Sequence, residues 1–183
     1  MTNSVTLVRA LLGALLAAGA CPTGAAAPDT TPSSVLATYW RMIPAATFVS
    51  RSSGMTYQYA NGGCLSVSPN LELTHKLMLP EGATLRYLRT YYRDEGPDAL
   101  FSSVTRYDAA GALDDYGAML TPNASGYASL LSPDLAHAFD AMGHAYVINV
   151  QYRTDDTIFF SGFDAGSARP LLFCGVRVMW DQP

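Results

Sequence analysis

The chain reads as an all-β protein, an antiparallel β-sandwich of jelly-roll-like character with at most one short helix. Apolar and polar residues alternate with a period of two through most of the sequence. Turn-forming Gly, Pro, Asn and Asp recur about every ten residues, and the 11 tyrosines suit half-buried strand positions. Eight or nine short strands follow from that spacing, the pattern of a sandwich rather than of a βαβ fold.

The first segment is an address. Arg9 supplies a positive n-region, Ala10 to Ala20 an apolar run, and Gly24-Ala25-Ala26-Ala27 the small residues of a cleavage site. Residues 1–26 are therefore expected to be an export signal peptide, cut after Ala26 because a cut after Ala27 would leave Pro28 first. The alternative is a lipid anchor on Cys21, which closes Ala18-Gly19-Ala20-Cys21, although that motif has Ala where Leu is usual. The apolar run falls short of the roughly 20 residues a spanning helix needs. Residues 27–38, with Pro28 and Pro32 among Thr and Ser, read as a flexible lead-in, and 39–183 as one domain.

Composition narrows the partners. One of the 11 basic residues and none of the 15 acidic ones lies in the leader, so the formal charge of −4 becomes −5 after cleavage, and nucleic acid is not an expected ligand. Lysine occurs once, at Lys76, on a strand where a solvated face explains it. With Cys21 removed or lipidated, Cys64 and Cys174 remain and should pair outside the cytoplasm. A reactive or metal-bound pair is the alternative, but neither Cys lies in a CxxC or near a His in sequence.

Along the domain, Leu71, Leu73, Leu77 and Leu79 share a face with His75, which predicts a half-buried strand over 71–79. Leu79-Pro80-Glu81-Gly82 turns the chain into a second strand, 83–93, whose alternation slips between Leu85 and Leu88. A bulge near Arg86-Tyr87 repairs it. Strands follow over 100–107, 116–120 and 127–131, separated by turns at 94–98, 108–111 and 121–126. Ser132 ahead of Pro133 and Asp134 could cap a helical turn or two over 133–142. From His144 to Arg153, Tyr146, Ile148, Val150 and Tyr152 line one face, opposite Ala145, Val147, Asn149 and Gln151. After an Asp155-Asp156 turn come strands 157–163 and 171–180, the latter with Leu172, Cys174, Val176, Val178 and Trp180 on one inward face.

Four stretches carry a resemblance: Gly62-Gly63-Cys64, Leu79-Pro80-Glu81-Gly82-Ala83-Thr84, Tyr91-Tyr92-Arg93-Asp94, and Phe173-Cys174-Gly175-Val176-Arg177-Val178. Together they resemble a group of uncharacterised exported bacterial β-sandwich proteins, over roughly the whole mature domain. The resemblance implies an all-β sandwich, a Cys64–Cys174 bridge and an envelope or extracellular setting. It carries over no catalytic residue, because each motif is a turn, a strand or a cysteine.

No catalytic signature emerges. Ser132, Asp134 and His137 lie close together, but their spacing does not make a nucleophile elbow and no GxSxG occurs. A small secreted hydrolase using His75 or His137 with an Asp such as Asp134 is thus the alternative reading, not the first. His75 in its leucine row is better explained as a hydrogen-bonded core or rim residue. Metal binding by His75, His137 and His144 lacks HxH or HxxxH spacing. The acidic turns at Asp94, Glu95 and Asp98, at Asp114 and Asp115, and at Asp155 and Asp156 could take Ca²⁺, yet nothing matches a DxDxDG loop, so no cofactor is expected. No carboxylate pair for glycoside hydrolysis is fixed by Glu72, Glu81 or Glu95.

An aromatic platform is better founded. Tyr87, Tyr91, Tyr92, Tyr107, Tyr146, Tyr152 and Trp180 are strand-borne, and Tyr91, Tyr92, Tyr107 and Tyr152 are the candidate binding residues. The reading that follows is a secreted, non-catalytic sandwich binding glycan or protein at the cell surface. A self-associating module of an envelope assembly is the further alternative.

Overall fold

Strand alternation alone buries only one face of each strand, so the chain must form two layers that cover each other. The computed structural model describes residues 36–53, 57–60, 62–66, 71–94, 96, 98–153 and 171–182. Twelve strands lie among them: β1 (Ala37–Pro44), β2 (Val49–Ser50), β3 (Gln58–Tyr59), β4 (Leu65–Ser66), β5 (Glu72–Leu77), β6 (Thr84–Asp94), β7 (Ala99–Tyr107), β8 (Leu113–Leu120), β9 (Gly126–Leu131), β10 (His137–Ala138), β11 (Ala145–Arg153) and β12 (Leu172–Gln182), with a 3₁₀ turn at Ala45–Thr47. The leader, most of the lead-in, the Asp155-Asp156 turn and the strand expected over 157–163 lie outside the described residues.

All pairings are antiparallel. One sheet runs β10-β6-β12-β4-β3, with β1 also on β12 and β9 also on β6; the other runs β2-β5-β11-β7-β8. The protein is an antiparallel β-sandwich, as the alternation predicts. We call the layers the seven-stranded and the five-stranded sheet. The core between them is drawn from Leu73 and Leu77, Leu85 and Leu88, Leu100 and Val104, Ile148 and Val150, and Phe173, Val176 and Val178. Tyr146 and Tyr152 join Ile148 and Val150 on the inner face of β11, in the expected phase. A hydroxyl pair, Thr90 with Ser102 at 2.8 Å, links the two layers through the core.

Two bulges set the phase of the β6–β12 ladder. Met179 faces Tyr87 while Trp180 faces Leu85, so Arg86 is the extra residue, where the slip in the sequence places it. Phe173 faces Tyr92 while Gly175 faces Tyr91, so Cys174 is extra on β12. This second bulge corrects the sequence reading: it shifts the side-chain phase by one, brings Phe173 into the core and takes Cys174 off the inner row. Gly175 is required beside it, because its φ is +134° and a Cβ there would lie 2.6 Å from the backbone oxygen of Ile43 on β1.

The helix expected over 133–142 does not form. β6 would otherwise have an open edge, and the segment supplies it with partners: Ser132 N–H donates to Leu88 O, Leu135 N–H to Arg86 O and Phe139 N–H to Ala83 O. β10 pairs His137 with Leu85 within this run, and Ala136 turns through a φ of +43°. Ser132 is a strand-edge clamp instead of a cap, its Oγ accepting from Leu88 N–H at 3.0 Å and donating to Pro133 O at 2.8 Å. β1 likewise takes in Ala37 and Thr38 from the expected lead-in, because an unbroken register of partners from Gln182 to Gly175 holds it to β12.

Cys64 and Cys174 are bonded, across a sequence separation of 110. The bond sits next to the Phe173–Leu65 pairing and fastens the two-residue strands β4 and β3 to the sheet. Among the described residues no helix is long and apolar enough to cross a membrane.

Candidate binding groove

The outward row of the five-stranded sheet is polar because strand alternation sends Leu and Ile inward and leaves Ser, Thr, Asn and Gln outside. Cross-strand register assembles them: Thr74 beside Asn149 beside Ser103, Glu72 beside Gln151 beside Phe101, and Thr105 beside Asp115. A groove of about 220 Å³ lies over all of these except Thr74. That is below the roughly 300–1,000 Å³ of a site enclosing a drug-sized molecule, so it is a shallow groove and not an enclosing pocket.

Its floor is buried although it faces outward. Ser103 and Thr105 are almost wholly covered and Asn149 is 7% exposed. Asn149 Nδ2 donates to Thr105 Oγ1 at 2.7 Å, and Thr105 Oγ1 donates in turn to the Asp115 carboxylate. Because a carboxylate only accepts, this chain fixes the direction of both bonds and therefore the orientation of the Asn149 amide. Asn149 Oδ1 is then left buried with no hydrogen-bond partner among the described residues. An orphaned buried acceptor costs about 1–3 kcal/mol until a donor reaches it.

The walls balance in charge. Arg51 Nη1 meets Glu72 Oε1 at 2.6 Å, and hydrogen bonding to that carboxylate, then its charge, raises the guanidinium pKa. Arg153 lies over the Phe101 ring at 5.5 Å, and Tyr107, paired with Leu113, interacts with the Arg51 guanidinium. Two cations, two anions, two aromatic rings and an amide with a free acceptor thus surround one polar floor.

Of the four tyrosines singled out in the sequence, Tyr107 alone lines this groove. Tyr92 and Tyr152 turn into the core. Tyr92 OH donates to Pro122 O at 3.1 Å and Tyr152 OH to the Asp98 carboxylate; burial, the larger cause, and nearby carboxylates raise both phenol pKa values. Tyr91 lies half-buried on the outer face of the other sheet, under Arg177. Asn149, Thr105 and Ser103 escaped the sequence reading as site residues, and Asp115, read as a turn residue, lies on β8 instead. The one usable signal in the sequence was the polar row Asn149 and Gln151 opposite the apolar face of β11.

Among the described residues, the candidates of the alternative hydrolase reading, His75, His137 and Asp134, are not brought together. His75 Nδ1 donates to Thr47 O at 3.0 Å and its ring packs against Phe48, a rim residue as expected. Ser132 is committed to the backbone, Asp134 to Arg86, and His137 Nε2 to Tyr146 OH at 3.2 Å, so the three go to separate partners. His144 Nδ1 meets Asp140 Oδ2 at 2.8 Å beside an apolar cavity of about 420 Å³ whose lining holds no Ser, Thr or Cys. Asp94 caps Gly96 N–H and Ala124 N–H, and Asp108 caps Ala110 and Ala112 N–H, as turn residues do. Among the described residues no three His, Cys, Asp or Glu side chains come together as a metal site.

His137 carries a pH dependence. Burial first, then Arg106 and His144, lower its pKa below the ordinary 6.5, so the fold holds it neutral while the unfolded chain protonates it. Stability is full above that ordinary value and declines as pH falls below it. Asp140, lowered chiefly by the Gly143 backbone N–H and by His144, adds a loss of the same sign at more acidic pH. The melting temperature is expected to fall from neutral to mildly acidic pH, and His137→Gln to flatten that fall. Identical pH profiles for the two proteins would contradict the assignment.

No protein-family model matches the chain, and no curated protein matches it. Solved structures similar to it include the CBM36-1 domain of a multidomain xylanase from the hindgut metagenome of Trinervitermes trinervoides, at 11% identity and TM-score 0.45, covering 77% of this chain and 96% of that one. The low-affinity xylan-binding module CBM86 of Roseburia intestinalis is similar at 14% identity and TM-score 0.41, covering 79% and 96%. A GH26-CBM35 β-(1,4)-mannanase of Podospora anserina matches at 13% identity and TM-score 0.40; this chain covers 28% of its length. No residue role is carried across from any of them.

Proposed function

We propose that this chain is an exported, non-catalytic β-sandwich that binds a neutral glycan in the groove on its five-stranded sheet. The observation that carries the reading is Asn149 Oδ1, a buried acceptor on a residue that lines the groove, left without a hydrogen-bond partner among the described residues. It calls for a ligand that donates a hydrogen bond. Around it stand hydroxyls, amides, guanidiniums and carboxylates of balanced charge, which suits a ligand rich in hydroxyls and uncharged overall. Tyr107 and Phe101 add aromatic rings to the lining, against which the C–H face of a sugar ring could rest. The Cys64–Cys174 bond supports work outside the cytoplasm.

Calorimetric titration of the full chain with xylo-, manno-, cello- and malto-oligosaccharides tests this. At least one series is expected to bind, and Gln151→Ala and Asn149→Ala each to weaken it by about ten-fold or more, the 1–2 kcal/mol scale of a lost hydrogen bond to a buried group. Gln151 is half-buried on the surface row, so its truncation should leave the melting temperature within a few degrees and keep the test clear of misfolding. Unchanged affinity in both variants would overturn the groove as the site.

A further inference from the structure

The outer face of the seven-stranded sheet has a different chemistry. Register places Trp40 beside Met179 beside Tyr87, and in the next row Met42 beside Arg177 beside Arg89 beside Leu131. Arg177 and Arg89 are therefore direct cross-strand neighbours, an arrangement of like charges that destabilises a sheet. Among the described residues neither has a carboxylate partner: Arg89 Nη1 reaches Ser129 Oγ at 3.3 Å, and Arg177 Nε is buried without a hydrogen bond. Aromatic faces hold the second guanidinium, which lies 4.8 Å from the Trp40 ring centroid and 5.7 Å from that of Tyr91. Trp40 is itself 62% exposed. Two guanidiniums side by side with no carboxylate on them among the described residues are a local exception on a chain of formal charge −4.

We infer that Arg89 and Arg177 form an anion-binding point for the carboxylate or sulfate of an acidic polysaccharide whose ring lies against Trp40. A planar guanidinium takes a carboxylate or sulfate through paired N–H bonds, and an anion between the two relieves their repulsion. An acidic sugar unit presents an apolar C–H face and an anionic group together, which matches the alternation of ring and guanidinium here. A second copy of the same face is disfavoured, since it would bring four arginines together. The inference takes only the saccharide class from the groove reading, and the two sites lie on opposite layers.

The test titrates the full chain with polygalacturonate, dextran sulfate, neutral dextran and poly-L-glutamate. Polygalacturonate or dextran sulfate is expected to bind, the preferred one identifying the anion, and binding should weaken as salt rises. Arg89→Gln with Arg177→Gln should reduce it by about ten-fold or more, and Trp40→Ala by about five-fold, with melting temperatures near that of the parent. The groove variant Gln151→Ala should bind the acidic chain as the parent does, and the arginine variant should keep any neutral-oligosaccharide binding, so either site can fail alone. No binding of either acidic polysaccharide at low salt, or equal binding by the double variant, would overturn the inference. Poly-L-glutamate binding as tightly would also overturn it and assign the face to an acidic protein.

Discussion

Replacing Cys64 and Cys174 together by alanine is expected to lower the melting temperature by roughly 10–20 °C. The bond closes a loop with a sequence separation of 110, and removing so long a restraint from the unfolded chain costs about 5 kcal/mol. For a domain of this length each kcal/mol corresponds to roughly 2–4 °C. There is also a local effect. Among the described residues β4 meets β12 through Ser66–Leu172 and Leu65–Phe173 alone, and β3 pairs with β4 alone, so this edge should fray first. Limited proteolysis of the variant should therefore cut within residues 57–66 before the centre of either sheet. Chemical reduction of the parent should reproduce both results. A shift of only a few degrees would mean that β12 and its neighbours hold the fold without the bond.

Phe173→Ala is expected to cost about 4 kcal/mol, in the range measured when a fully buried aromatic is truncated. Its ring is wholly buried and meets Phe48 edge to face at 4.9 Å. Phe48 follows the 3₁₀ turn at the crossover from β1 to β2, so the pair pins the passage of the chain from one layer to the other. Chemical denaturation measures the loss. A cost below about 1 kcal/mol would place Phe173 on the outside, where an unbulged β12 would put it.

That residue also shows where sequence reading stops. Alternation identified the strands around Leu73, Val104 and Ile148, and a slip between Leu85 and Leu88 was visible because an apolar pair stood out of phase. At Cys174 the neighbours Leu172, Phe173 and Val176 are all apolar, so either phase reads as a buried face and the bulge leaves no trace. Segment 133–142 looked helical because Ser132, Pro133 and Asp134 satisfy local capping rules. The open edge of β6, which only the tertiary structure supplies, outweighed those rules. The groove was hidden for a related reason. Asn149, Thr105 and Asp115 come from three strands, and their meeting depends on β11–β7–β8 register, which no local pattern encodes. Tyr107 was legible as an aromatic strand residue, while Tyr92 and Tyr152, equal to it in sequence terms, lie on the inner side of the same alternation.

Both candidate sites arise from one property of the sandwich. The inner faces consume the aliphatic residues, and each outer face is free to carry its own chemistry: neutral and hydrogen-bonding on the five-stranded sheet, cationic and aromatic on the seven-stranded one. The most direct test of the central claim is a nuclear magnetic resonance titration with the neutral oligosaccharide that binds best. The largest shifts are expected at the Asn149 and Gln151 side-chain amides and at Thr105, with the Trp40 indole unmoved. Shifts confined to residues outside the groove, with the Asn149 amide unchanged at saturation, would contradict it.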